Sequence, residues 1–119
     1  MIPKFRVWDK VKQAMSTVEA IDYIYYKIYP FYSKYVRRYI PFGEAVLMQL
    51  AHDDDNTIYD KDIIIDCDSG EVGVVFYDNE DCAWKVKTKT TEEWLYNWLG
   101  CDVIGNTYEN PELLERVEE

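Results

Sequence analysis

The chain has 119 residues, enough for one small domain or for a domain with an appendage. Its 48% hydrophobic and 16% aromatic content argues against intrinsic disorder. The net charge of −10 is uneven: residues 1–50 hold 8 Lys/Arg against 4 Asp/Glu, a balance of +4, and residues 51–119 hold 5 against 19, a balance of −14, which disfavours direct duplex DNA binding through the second half.

In chain order, "KFRVWDK" alternates, with Phe5, Val7 and Asp9 on one side and Arg6, Trp8 and Lys10 on the other, as a half-exposed strand does. "STVEAIDYIYY" predicts a second strand, joined to the first by a turn over residues 10–13. "YIYYKIYPFYSKYVRRYIPF" holds seven tyrosines. Pro30 and Pro41 cut it too short for a helix, so strand–turn–strand is expected, with a helical turn over residues 31–36 as the fallback. "EAVLMQL" reads as a buried strand or short helix. "AHDDDNTIYDKD" is expected to be a polar turn that carries charge.

A regular β rhythm follows. "DIIIDC", "EVGVVFYD" and "CAWKVKTK" are strands, turned by "DSG" and "NED". Gly73 allows a bulge or a close backbone approach. Trp84 and Val86 form the apolar face of the third of these strands, and Lys85, Lys87 and Lys89 its wet face. "TTEEWLYNWLG" switches to a helical period. Thr90 and Glu93 suit a capping box, Trp94, Leu95, Trp98 and Leu99 share one face, and Gly100 is a stop. "CDVIGNTYE" closes the β pattern, and "NPELLERVEE" starts a last helix with Asn110 as cap and Pro111 in first position. The fold expected is mainly β with short helices: an N-terminal β region over residues 1–56 with a Tyr-rich segment, and an SH3-like small barrel with a C-terminal helical tail over residues 57–119.

The residues offer no reaction. An EF-hand loop beginning at Asp53 needs Gly at its sixth position and Glu at its twelfth, where Ile58 and Ile64 stand. His52 beside consecutive aspartates does not supply three or four converging metal ligands. Cys67, Cys82 and Cys101 form no CxxC pair, and their odd number argues against a disulfide framework. Cys67 and Cys101 are expected to be small core residues. No Gly-rich phosphate loop, GxSxG or HExxH occurs. Neither enzymatic activity, a cofactor nor a metal is therefore expected. Pro3, Lys4, Arg6 and Trp8 interrupt any leader-like apolar run, and no run approaches the ~20 residues that span a bilayer, so a cytoplasmic location without a membrane partner is expected.

Two candidate binding surfaces remain. Asp53, Asp54, Asp55, Asp66, Asp68, Asp78, Glu80 and Asp81 define an acidic face. It either serves solubility or meets a basic partner. Tyr29, Tyr32, Tyr35, Arg37, Arg38 and Tyr39 define an aromatic and basic one, suited to local packing, to a protein interface, or to stacking single-stranded nucleic acid. Trp94 and Trp98 are expected in the core.

The opening "IPKFRVWDK", the middle "EAVLMQL", "TIYDKDII" against the pattern "IYEGDIV", and above all the closing "CDVIGNTYENPELL" resemble the YopX family, small proteins encoded by phages and prophages of Gram-positive bacteria. That family usually carries a "TGLKDKNGKEIYEGD" loop where this chain has "AHDDDNTIYDKD", so Asp60-Lys61-Asp62 replaces Glu-Gly-Asp and the loop's glycines and basic residues are gone. The resemblance implies an N-terminal β region, an SH3-like barrel and a phage origin, and no catalytic residue. The expectation for function is a non-enzymatic phage or prophage accessory protein. It would bind and modulate or inhibit a host protein with a basic groove, such as a CRISPR nuclease, another defence enzyme or a replication factor, by acidic mimicry of nucleic acid. The alternatives are a small nucleic-acid-binding barrel that uses the basic N-terminal half, and a structural homo-oligomer.

Overall fold

A computed structural model describes residues 4–31, 37–53, 56–98 and 100–117. It is mainly β, built from antiparallel sheets, and divides into two compact units, residues 1–50 and 51–119. The charge changes sign at the same point, from +4 to −14. Among the described residues no helix is long and apolar enough to cross a membrane.

In the first unit, β1 (Phe5–Asp9), β2 (Ala14–Asp22), β3 (Lys27–Pro30), β4 (Ile40–Pro41) and β5 (Ala45–Asp53) lie in the order β4-β3-β2-β1-β5. The expected β1–β2 hairpin forms, with Asp9 opposite Ala14 and Arg6 opposite Thr17. β2 outruns β1, and its far half pairs with β3 across a register shift between Val18 and Ala20. Val7, Ile28 and Ile40 are buried together, with Val18, Phe42, Ala45 and Leu47 packed around them. "EAVLMQL" is strand, and Phe42–Glu44 is a single 3₁₀ turn leading into it. The fallback helical turn falls on residues 32–36, outside the described residues.

An ion pair fixes one corner of this unit. Asp9, whose side chain is 3% exposed, accepts from Arg37 Nε at 2.7 Å and Nη2 at 2.8 Å, a two-pronged pair. Arg37 Nη1 also donates to Glu44 at 2.9 Å. Burial pushes the Asp9 carboxyl up, but Arg37 and the backbone N–H groups of Lys12 and Val11 outweigh it, so its pKa lies below the ordinary 3.8.

β5 runs on past residue 50 into the second unit, where β6 (Thr57–Tyr59) follows it. The stretch expected to be one polar turn is thus largely strand. Ala51–Asp53 end β5, and Ile58 is fully buried in the core that Ala51 packs against. Burial of Ile58 overrides the polarity of its neighbours. Then β7 (Asp62–Ile65), β8 (Val72–Asp78), β9 (Ala83–Lys87), β10 (Glu92–Trp94) and β11 (Asp102–Asn106) form a sheet in the order β10-β9-β8-β7-β11. The outer strands β10 and β11 are not neighbours, so the expected barrel is not closed.

Both faces of this sheet are covered, which is why β7 is three consecutive isoleucines rather than an alternating strand. Ile64 faces Val75, Val86, Leu95, Trp98 and Cys101; Ile63 faces Val72 and Val117, with Ile65, Val74, Ile104, Leu113 and Leu114 beside them. Gly73 is the close approach anticipated: a Cβ there would run into Val86 Cγ1 and come within 3.2 Å of the Lys87 carbonyl oxygen.

Four sequence expectations fail here, two of them for a visible local reason. The helix from residue 90 is replaced by β10 and a 3₁₀ turn, Leu95–Trp98. Buried Thr88 accepts the N–H groups of Thr90 and Thr91 at 3.3 and 3.0 Å, turning the chain back so that Glu93 pairs with Val86. Glu93 then accepts from Trp98 Nε1 at 2.8 Å instead of closing a capping box. Trp98 is core as expected, but Trp94 is 42% exposed. Lys85 is not wet: its ammonium lies 2.7 Å from Asp78 and 2.6 Å from Asp81. Cys101 is buried, whereas Cys67 is exposed in the turn after β7. The last helix is 3₁₀ over Pro111–Arg116, with Asn110 and Pro111 where expected.

Two stability predictions follow from these details. Arg37→Met strands most of the Asp9 charge and should cost about 2–3 kcal/mol in urea unfolding at neutral pH. Because the Asp9 pKa is depressed on folding, its contribution is full above the ordinary carboxylate pKa and drains as pH falls through the folded value. The deficit of the variant should therefore shrink as the pH falls below the ordinary carboxylate value of 3.8. Lys61 holds φ at 69°, a left-handed conformation costing roughly 1–2 kcal/mol for a residue with a Cβ. Lys61→Gly should stabilise by about 0.5–1 kcal/mol after the extra chain entropy of glycine is subtracted. A lower melting temperature for that variant would contradict the strain.

Candidate functional site

Among the described residues, the most exposed apolar surface is the tip of the β2–β3 hairpin. Tyr23, Ile24, Tyr25 and Tyr26 are 65–79% exposed, where turns ordinarily carry Gly, Asn, Asp or Ser. Asp22 shapes the tip by accepting the N–H groups of Ile24 and Tyr25 at 2.9 and 3.0 Å. Tyr26 closes it at φ 58°. Phe42 braces it from behind, edge-on to Tyr23 at 6.0 Å and to Tyr26 at 5.6 Å between ring centroids. Phe42 N–H also donates to the Tyr26 carbonyl at 2.9 Å. The tip is thus a preformed aromatic surface on the basic unit.

The aromatic and basic residues expected at a site are more scattered. Tyr29 is half-buried on β3, 6.3 Å from the exposed Tyr39 ring, over which the Lys27 ammonium sits at 4.4 Å. Arg37 is committed to Asp9 and Glu44, while Arg38 is exposed beside it. Arg37, Arg38, Tyr39, Pro41 and Glu44 line a shallow cavity of about 410 Å³. Tyr32 and Tyr35 lie outside the described residues.

The acidic set falls into separate turns. Asp66 and Asp68 belong to the β7–β8 turn, where Asp66 accepts the Asp68 N–H at 2.9 Å. Asp78, Glu80 and Asp81 belong to the β8–β9 turn, at the other end of the seven-residue β8. Their carboxylates are therefore about 20 Å apart at ordinary strand rise. Asp53 is exposed at the end of β5 and accepts from Thr57 Oγ1 at 3.2 Å. Asp54 and Asp55 lie outside the described residues. Lys85, and then the Glu80 N–H, hold the Asp78 carboxyl below its ordinary pKa, so it stays charged at neutral pH. Charge is spread over the unit rather than gathered in one patch.

The sequence offers the whole segment of residues 23–39 as a source of apolar anchors, but it assigns residues 23–26 to a strand and not to the site itself. The available signal was Asp22: aspartate at a strand end, five residues before the next strand, repeats at Asp9 and Asp78.

The architecture has solved counterparts. The crystal structure of protein EF1440 from Enterococcus faecalis aligns with a TM-score of 0.62 at 22% identity, covering 96% of this chain and 99% of that one. The crystal structure of protein yopX from Bacillus subtilis aligns at 0.58 and 24% identity, covering 98% and 96%. At such identities the likeness is one of fold. No curated protein matches the chain. The family model described as YopX protein matches residues 4–115, nearly the whole length, and the chain belongs to that family.

Proposed function

We propose that this protein is a non-enzymatic phage or prophage accessory protein that binds a host protein with a basic groove and modulates or inhibits it. The observation that carries this reading is the coincidence of charge and structure: the chain divides at residues 50/51 into a unit of +4 and a unit of −14. A unit that acidic attracts a basic surface at long range and raises the encounter rate. Exposed Asp53, Asp68, Glu80 and Asp81 present charge from several turns, as a groove that normally holds a phosphate backbone would meet it. The tip at residues 23–26 supplies apolar anchors of the aromatic kind enriched at interfaces.

Capture from host lysate on the immobilised chain tests this. The retained protein should carry a basic surface, and retention should fall steeply from about 50 mM to about 500 mM salt as screening shortens the reach of the charges. Asp68→Asn/Glu80→Gln/Asp81→Asn should weaken it severalfold, and Ile24→Asp should weaken it independently of salt. Capture indifferent to salt and to the charge variants would refute the electrostatic reading. A second reading, stacking of single-stranded nucleic acid on the tip, is favoured by four exposed apolar side chains on a basic unit. Gel retention of single-stranded DNA or RNA that is lost in Arg38→Ala and Tyr25→Ala would establish it instead.

A further inference from the structure

The second unit holds an apolar groove beside its acidic β8–β9 turn. Trp84, Trp94 and Tyr96 line it with Ala51, Leu95 and the half-buried His52, around a volume of about 240 Å³. Pockets that enclose small ligands run from roughly 300 to 1,000 Å³. This one is too small to enclose a metabolite and suits side chains projecting from a passing chain. Its aromatic surface extends beyond the groove: Tyr77, 42% exposed, packs edge-on against Trp84 at 5.2 Å between centroids. Trp94 and Tyr96 are 42% and 69% exposed on either side of the buried Leu95. Trp94 also stands on β10, the outer strand of its sheet, where a second chain can approach.

The same wall already binds one cation. The Lys85 ammonium lies 5.1 Å from the centre of the Trp94 ring, held by Asp78 at 2.7 Å and Asp81 at 2.6 Å. Asp78 and then Asp81 push the Lys85 pKa up. An indole face with carboxylates beside it is the combination that recognises arginine and lysine. Asp81 keeps half of its side chain in solvent, and the unit around it carries −14. Flat aromatic walls also pack proline rings, and a polyproline II segment reaches such walls already extended, with little ordering cost.

We infer that this groove is a docking site for an extended segment of a partner protein that carries proline and arginine, an inference that rests on the reading of the acidic unit as the surface that meets a basic partner. The aromatic walls take the prolines, and Asp81 with the outer face of Trp94 takes an arginine.

The test uses the full chain and four fluorescein-labelled twelve-residue peptides, read by anisotropy. One repeats Arg-Pro-Pro; the second has Ser for Arg, the third Gly and Ser for the prolines, the fourth Glu for Arg. The Arg-Pro-Pro peptide should bind best and the Glu peptide not at all. Trp94→Ala and Tyr96→Ala, both at exposed side chains, should each weaken binding about tenfold, as an interface anchor does. Circular dichroism should show both variants folded. Equal binding of the Gly/Ser peptide, unmoved by either variant, would overturn the groove while leaving the acidic-surface reading intact. Equal binding of the Ser peptide would overturn the arginine contact. If no peptide binds while lysate capture stays salt-sensitive, the groove alone falls; if both are lost, both readings fall. Self-association of the free chain that is abolished by Trp94→Ala would assign the groove to a second copy and overturn the proposal.

Discussion

Strand ends in this protein are held by one short-range interaction, a side-chain carboxylate or amide oxygen accepting backbone N–H groups two or three residues ahead. Asp9 does this for Val11 and Lys12, Asp22 for Ile24 and Tyr25, Asp78 for Glu80 and Asp81, and Asn106 for Tyr108 and Glu109. Asp66, one residue past β7, does it for Asp68. The chain then closes four residues on: the N–H groups of Gln13, Gly70 and Asn110 donate to the carbonyls of Asp9, Asp66 and Asn106. In the four aspartate turns the closing residue is left-handed, at Gln13, Tyr26, Gly70 and Cys82, and only one of these is glycine. The capping oxygens thus hold turns in which three backbones of L-residues carry strain.

This device changes how the acidity should be understood. Asp9, Asp22, Asp66 and Asp78 are required where they stand by local geometry, and the same four carboxylates contribute to the charge of their units. Asp9 goes furthest: it caps a turn, is nearly buried, and is neutralised by Arg37. Asp78 caps a turn and anchors Lys85. Glu80 and Asp68 occupy turn positions that the cap leaves free, and there the charge is not demanded by the fold, while Asp81 shares Lys85 with Asp78. The excess of −14 is therefore partly architecture and partly surface, and the surface part is what long-range attraction can act on.

Period and turn chemistry made the strands legible. Alternation in "KFRVWDK", the buried run "DIIIDC" and the punctuation of "DSG" and "NED" each correspond to an observed strand or turn. What the sequence concealed are contacts between residues distant from the pattern. The helical spacing of Trp94, Leu95 and Trp98 is real, but Thr88 reverses the chain first, so only a 3₁₀ turn remains to bury Leu95 and Trp98. Lys85 alternates with Val86 as a wet residue should, yet two carboxylates across the β8–β9 turn and an indole draw it in. Lys61 shows the reverse case. The resemblance supplies a glycine there, and the left-handed backbone is the reason a glycine suits it. Of the candidate sites, charge was legible because it is additive, while the groove and the aromatic tip depend on turns whose tertiary position no local pattern states.

The tip is where this turn design leaves side chains without a structural assignment. A turn held by Asp22 needs neither glycine nor asparagine at its centre, so residues 23–26 are free of backbone demands except the left-handed Tyr26. They are also free of core demands, since Val7, Ile28 and Ile40 complete the core of that unit without them. Solvation favours polar side chains at such positions, yet three tyrosines and an isoleucine stand there, and Phe42 stiffens the group. Rigid aromatic side chains lose little entropy when a partner covers them. Exposure that neither the turn nor the core requires, and that water disfavours, is what the proposed association would relieve, and under that proposal the basic unit that carries the tip and the acidic unit that carries the groove would meet partners by different physics.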